Sequence, residues 1–229
     1  MIMPKLKIAQ RKSLWRRTIQ PFTRSKGSKI VLGLLGAVAF ISLLLLVMPY
    51  LPKLRFWLFR PKVNATPYIQ AVDSKSAQTT NTSSPQTIKE QGNRLVIPSI
   101  GINAEVIEGG NIWVIAKNQG VWHETRGTNP TKPGNIVLAG HRWLYTTTNG
   151  GYFYNLPEIK NNDKIYYKWN DKVYEYEVYN RKTVLPTQID IRDNDSAVPN
   201  KLTLYTCYPL GSTAKRYVVE ARLTKWSVL

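Results

Sequence analysis

The chain has 229 residues, enough for one or two domains, with 32 Lys and Arg against 14 Asp and Glu, a formal net charge of +18. One cysteine excludes an intramolecular disulfide framework, and with only two histidines it cannot build a Cys-rich zinc module. The charge invites a nucleic-acid reading, which its distribution along the chain removes.

Residues 1–29 hold nine basic side chains and no acid, residues 30–52 no charge, and residues 53–62 four more cations without an acid. Residues 91–229 carry 17 basic and 12 acidic side chains, a net of only +5. The excess therefore flanks an uncharged stretch, and no nucleic-acid partner is expected.

From Ile30 to Met48 that stretch runs nineteen residues before Pro49. As a helix it would reach about 28 Å, one hydrocarbon thickness. A soluble core helix of this length would carry a polar face, and a cleaved signal peptide has a shorter apolar region ending at small residues. Residues 30–52 are accordingly expected to form an uncleaved transmembrane helix. The basic segment 1–29 is the more positive flank, so the N-terminus is expected in the cytoplasm and everything after about residue 53 outside the cell membrane. Phe56, Trp57 and Phe59 among Lys53, Arg55 and Arg60 suit contact with membrane lipids at the interface.

From Val63 to Asn93 the composition turns to Thr, Ser, Asn, Gln and Ala, with no sustained apolar period. Residues 53–93 thus read as an interfacial segment followed by a flexible linker. Beyond it, residues 94–229 form a domain of short strands. R-L-V-I-P (94–98), A-E-V-I-E (104–108), N-I-V-L-A-G (135–140), D-K-I-Y-Y-K-W (163–169), K-V-Y-E-Y-E-V-Y (172–179), K-L-T-L-Y-T-C (201–207) and K-R-Y-V-V-E-A-R-L (215–223) are rich in β-branched and aromatic residues. Val173–Tyr179 alternates as a half-buried strand does, and Asn170-Asp171 is a hairpin-turn signal. Seven or eight such strands predict an all-β barrel or sandwich, with short turns near 112–118 and 151–155.

Cys207 has no intrachain partner. A lone cysteine in a strand is either a small buried hydrophobe, a site of pairing between molecules, or a nucleophile held at a strand end beside a loop. His141 closes the strand G-N-I-V-L-A-G-H in a similar setting, after Gly140, and a thiol with a histidine is the minimum for a cysteine nucleophile. His123, in V-W-H-E-T-R-G, reads as a loop or rim residue and is the less favoured partner. The two histidines lack metal-ligand spacing and have no evident carboxylate cluster, so neither metal nor cofactor is expected. Arg216 opens the strand after residues 208–215. An antiparallel return would set its guanidinium beside Cys207, where it could stabilise an oxyanion.

T-L-Y-T-C (203–207), followed by an Arg opening a final apolar strand, resembles the T-L-x-T-C…R signature of the sortase family, and L-A-G-H-R (138–142) resembles that family's histidine motif. The likeness covers most of 94–223. It implies an eight-stranded β-barrel in which Cys207 is the nucleophile, His141 the general acid/base and Arg216 the group that stabilises substrate and oxyanion. Thr206 would lie in the substrate groove. The implied activity is cysteine transpeptidation of surface proteins bearing an LPxTG-like C-terminal sorting signal, cleaved between Thr and Gly. A peptidoglycan precursor or a pilin lysine would supply the acceptor amine. Cys207-Tyr208-Pro209, the short 208–215 loop and G-N-I-V-L-A-G-H-R are most like class D or E members. A class A calcium site is not expected, because Glu105, Glu108 and Glu124 do not match it residue by residue. The rival from another class is a membrane-tethered β-domain that binds cell-surface components without catalysis. It would have no need of Cys207, His141 and Arg216 together.

Overall fold

The computed structural model describes residues 26–48, 51, 54, 58, 59, 63–73, 92–109, 120–142 and 153–229. The basic stretch 1–25, most of the interfacial segment, linker residues 74–91 and the turn expected near 112–118 lie outside the described residues. The chain divides into two units, residues 1–55 and 56–229.

The first unit contains helix α1 (Lys26–Val47). Its 22 residues span about 33 Å, and every side chain from Ile30 to Val47 is exposed. A soluble core helix buries at least one face, so this exposure favours a membrane-spanning role. The hydroxyl of Ser42, within the apolar run, donates to the Val38 carbonyl at 2.8 Å and so is satisfied by its own helix.

In the second unit, strands β1 (Arg94–Ile97), β2 (Ile102–Glu108), β3 (Val121–His123), β4 (Gly134–Ala139), β5 (Lys164–Trp169), β6 (Lys172–Val184), β7 (Asn200–Tyr208) and β8 (Lys215–Val228) close into a barrel. Around it the order is β1-β2-β3-β4-β7-β8-β6-β5, with β2–β3 and β4–β7 parallel and the other pairs antiparallel. Seven strands coincide with the apolar runs read from sequence. The eighth, β3, is three residues long, too short for any period to declare itself. Asn170, in the left-handed region at φ 51°, joins β5 to β6, whose Trp169 and Lys172 are paired.

Alternation along each strand sorts its side chains between inside and outside. On β4 and β7, Ile136, Leu138, Leu202 and Leu204 point inward and pack with Leu95, Ile165, Tyr176 and Val219. Val137, Ala139 and Tyr205 point outward, where Ile191 of the β6–β7 loop covers them together with Val184 and Val218. A second outer face is covered by helix α2 (Thr66–Asp73), whose Tyr68 and Val72 pack with Ala65 on Val96, Tyr166 and Val173.

Helix α2 corrects the expectation of a flexible linker over its whole length. Ala65, Tyr68 and Val72 lie three and four residues apart, one helical face, but eight residues are too few to show a period. The barrel supplies what the isolated segment lacks. It also explains why β6 is buried on both sides at Val173–Tyr176 although its sequence alternates.

Candidate active site

Antiparallel pairing of β7 with β8 sets Cys207 directly opposite Arg216. The return after the 208–215 loop thus places the guanidinium's residue where its spacing suggested, and β6 adds Val184 on the other side of Arg216. Nη1 of Arg216 donates to the carbonyls of Thr213 (2.9 Å) and Lys215 (3.0 Å), tying the guanidinium to the turn beside the cysteine. Cys207 is half-buried and carries a free thiol.

The histidine reaches the same place through parallel pairing. The β4–β7 register runs from Gly134↔Asn200 to Ala139↔Tyr205. It ends one residue before Gly140 and Thr206, and so two residues before His141 and Cys207. Two hydrogen bonds follow that course: the Gly140 N–H donates to the Tyr205 carbonyl at 3.3 Å, and the Thr206 hydroxyl donates to the Gly140 carbonyl at 2.8 Å. The carbonyl of His141 accepts from the Phe153 N–H at 2.9 Å. A Cβ on Gly140 would meet the Phe153 ring at 3.0 Å, so glycine lets the chain pass that ring on its way to His141.

Thr206 stands apart from its expected setting. It is buried, and alternation turns it away from the face that Cys207 shares with Tyr205. Instead of opening to solvent it fastens the backbone before His141 to the strand of Cys207.

His123 is likewise corrected. It ends strand β3 and is buried rather than at the rim. Its Nδ1 lies 2.8 Å from Oε1 of Glu108 and its Nε2 lies 2.9 Å from the Thr128 carbonyl, with the Trp169 ring edge-on at 5.5 Å. Both ring nitrogens are engaged by acceptors, which leaves none for a thiol. Glu108, fifteen residues upstream, is a carboxylate neighbour that sequence spacing did not reveal. Among the described residues no three His, Cys, Asp or Glu side chains converge as metal ligands.

Arg142, quoted in the histidine motif but given no role there, sits at the same strand ends. Its guanidinium carbon lies 4.9 Å from the ring centroid of Tyr208, which is itself tilted against Tyr217 at 5.7 Å. Nε and Nη1 are buried without a hydrogen-bond partner among the described residues. Burial lowers its pKa, opposed by the Tyr208, Tyr154 and Glu158 oxygens nearby. Its adjacency to His141 was the available signal.

The family model of the sortase domain matches residues 95–224, more than half of the chain. The chain belongs to the sortase family. Sortase A of Listeria monocytogenes serovar 1/2a is 29% identical over 131 residues, 57% of this chain and 55% of that protein. Sortase D of Bacillus subtilis strain 168 is 28% identical over 146 residues, 60% of this chain and 66% of that protein. The chain thus spans between half and two thirds of the length of these sortase relatives, and the likeness extends to two sortase classes. The crystal structure of the Listeria monocytogenes sortase A superposes with a TM-score of 0.53 over 60% of this chain and 89% of that one, at 29% identity. Sortase E1 from Streptomyces coelicolor, at 21% identity and TM-score 0.53, shares the fold across 64% of this chain and 94% of its own.

Proposed function

We propose that this sortase is a membrane-anchored cysteine transpeptidase that cuts an LPxTG-like sorting signal between Thr and Gly and joins the new carboxyl end to a cell-wall or pilin amine. What supports the reading is the strand register: β7–β8 pairing sets Arg216 opposite Cys207, and β4–β7 pairing ends at Ala139 and Tyr205, two residues before His141 and Cys207. In this mechanism the Cys207 thiolate attacks the Thr carbonyl carbon while His141 gives its proton to the departing Gly amine. The resulting thioester is then attacked by the acceptor amine, whose proton passes to His141 as the thiolate leaves. Arg216 stabilises the oxyanion in both steps. Thr206 acts at one remove, by fixing the Gly140 carbonyl and hence the histidine.

Exposed Leu185, Ile189 and Leu210 follow the ends of β6 and β7 and offer an apolar border to an extended peptide. Helix α1 is read as the anchor, with residues 1–29 cytoplasmic and the catalytic domain, 94–229, outside. Substrates that are themselves retained at the membrane would then meet the enzyme in two dimensions.

The test is cleavage of quenched sorting-signal peptides by the full chain in detergent micelles. The parent protein should release the fluorophore, and Cys207→Ala should reduce the rate to background while leaving the circular dichroism unchanged. No cleavage across a panel of sorting motifs, or undiminished cleavage by the alanine variant, would replace this reading with that of a non-catalytic binding domain.

A further inference from the structure

Each of the three residues of the proposed reaction is followed in the chain by a member of one side-chain stack. Arg142 follows His141, Tyr208 follows Cys207 and Tyr217 follows Arg216. The Arg142 guanidinium carbon lies over the Tyr208 ring, 4.9 Å from its centroid. That ring in turn leans on Tyr217, with 5.7 Å between centroids and 37° between planes. Successive side chains on a strand point to opposite sides, so Tyr208 shares a side with Thr206 and not with Cys207. The register sets Tyr217 opposite Thr206, on that same side. The stack thus lies behind the strands, on the side that Cys207 and Arg216 do not face.

Two ties therefore bracket the histidine and the cysteine alike. Before them, the Thr206 hydroxyl donates to the Gly140 carbonyl at 2.8 Å. After them, Arg142 rests on Tyr208. The base of the stack is fixed as well. Arg181 stands beside the Tyr217 phenol and donates from Nη1 to the Ile159 carbonyl at 2.7 Å and from Nε to Oδ1 of Asn161 at 3.0 Å.

The stack also accounts for an arginine at 142. Its Nε and Nη1 are buried with no hydrogen-bond partner among the described residues. A guanidinium whose N–H groups meet no oxygen is costly to bury, and the face of an aromatic ring is the remaining group that attracts it. Ring-on-ring contact with Tyr217 holds Tyr208 in its turn. A solvated arginine would leave the chain after His141 untethered, whereas this one fastens it to the neighbour of Cys207.

We propose that Arg142 and Tyr208, seated on Tyr217, are positioning residues that set the separation of His141 from Cys207. Neither touches substrate, and each acts through the residue before it in the chain. The pair completes what the Thr206–Gly140 bond begins, since one tie alone would leave the two segments free to pivot about it. The proposal rests on the transpeptidase reading for the reaction that His141 and Cys207 serve.

The test uses the full chain in detergent micelles and breaks the stack from either partner. Arg142→Met keeps the length and removes the charge, and Tyr208→Leu removes the ring. Each should lower kcat for the sorting peptide about tenfold with KM within about twofold, as when reacting groups are misplaced and binding is intact. The double variant should be no slower than either single one, because both remove the same contact. Arg142→Lys keeps a cation for the ring face and Tyr208→Phe keeps the ring, so both should recover kcat to within about threefold of the parent. Alkylation by iodoacetamide needs no peptide, and Cys207 is the one cysteine of the chain. Its pH profile should shift in Arg142→Met and Tyr208→Leu and return to that of the parent in the two conservative variants, because a neighbouring imidazolium favours the thiolate. Should one disruptive variant not fold, the other decides. A raised KM at unchanged kcat in Arg142→Met would make Arg142 a substrate contact and overturn the proposal. Additive losses in the double variant, or an alkylation profile that neither substitution moves, would overturn it equally. Should the parent cleave no peptide, the transpeptidase reading fails, while the alkylation profiles still decide whether the stack positions the two residues.

Discussion

Two outer faces of the same barrel are covered in opposite ways. On one, helix α2 lays Ala65, Tyr68 and Val72 on Val96, Tyr166 and Val173, with the exposed Lys225–Asp73 pair at 3.0 Å at its edge. On the other, loop 185–199 is tied down by a buried amide and a buried carboxylate around a small apolar patch. Apolar cover is non-directional and needs only area, whereas hydrogen-bonded cover fixes position. The directional cover belongs to the face that carries Cys207 and Arg216, the residues of the proposed reaction; the helix-covered face carries neither.

Substitutions on the two faces should therefore separate activity from stability. On the loop-covered face, Arg216→Lys keeps the charge but loses the planar fork that bonds Thr213 and Lys215, and kcat/KM should fall about 100-fold with the melting temperature nearly unmoved. If Arg216→Lys retains most of its activity, the guanidinium has no oxyanion role. On the helix-covered face, Tyr68→Ala should cost about 3 kcal/mol of stability, yet kcat/KM measured well below the transition should match the parent. A matching loss of activity would mean that the two faces are coupled through the barrel. Thr206→Val removes the bond to Gly140 at nearly constant volume and should cost about 1–2 kcal/mol. Its kcat should drop severalfold and Thr206→Ser should restore it, because the effect passes through the position of His141. Asp73→Ala breaks only the exposed pair with Lys225, and thermal melts should superimpose on those of the parent.

Legibility in the sequence followed the length of each signal. Runs of five to nine residues rich in β-branched and aromatic side chains identify seven strands, and the T-L-Y-T-C and L-A-G-H-R motifs mark Cys207 and His141. The three-residue β3 and eight-residue α2 carried too few residues for a period, so His123 read as a rim residue and α2 as part of a tether. Thr206 lies beside Cys207 in sequence and on the opposite side of the strand in space, a distinction that pleating imposes and adjacency hides. The Glu124–Arg192 and Asn135–Asp193 contacts join residues 68 and 58 positions apart, and no local pattern announces them.

By itself, the sequence determined what depends on composition and local period: an apolar helix long enough to cross a bilayer, a strand-rich domain after it, and a single thiol at a strand end. Parallel pairing of β4 with β7 and antiparallel pairing of β7 with β8 decided the rest. Those registers bring together residues 66 and nine positions apart, and they select which side of each strand is shared with Cys207. Pairing between distant segments is set by the closed barrel as a whole, because shifting one strand by a single residue would exchange its buried and exposed faces.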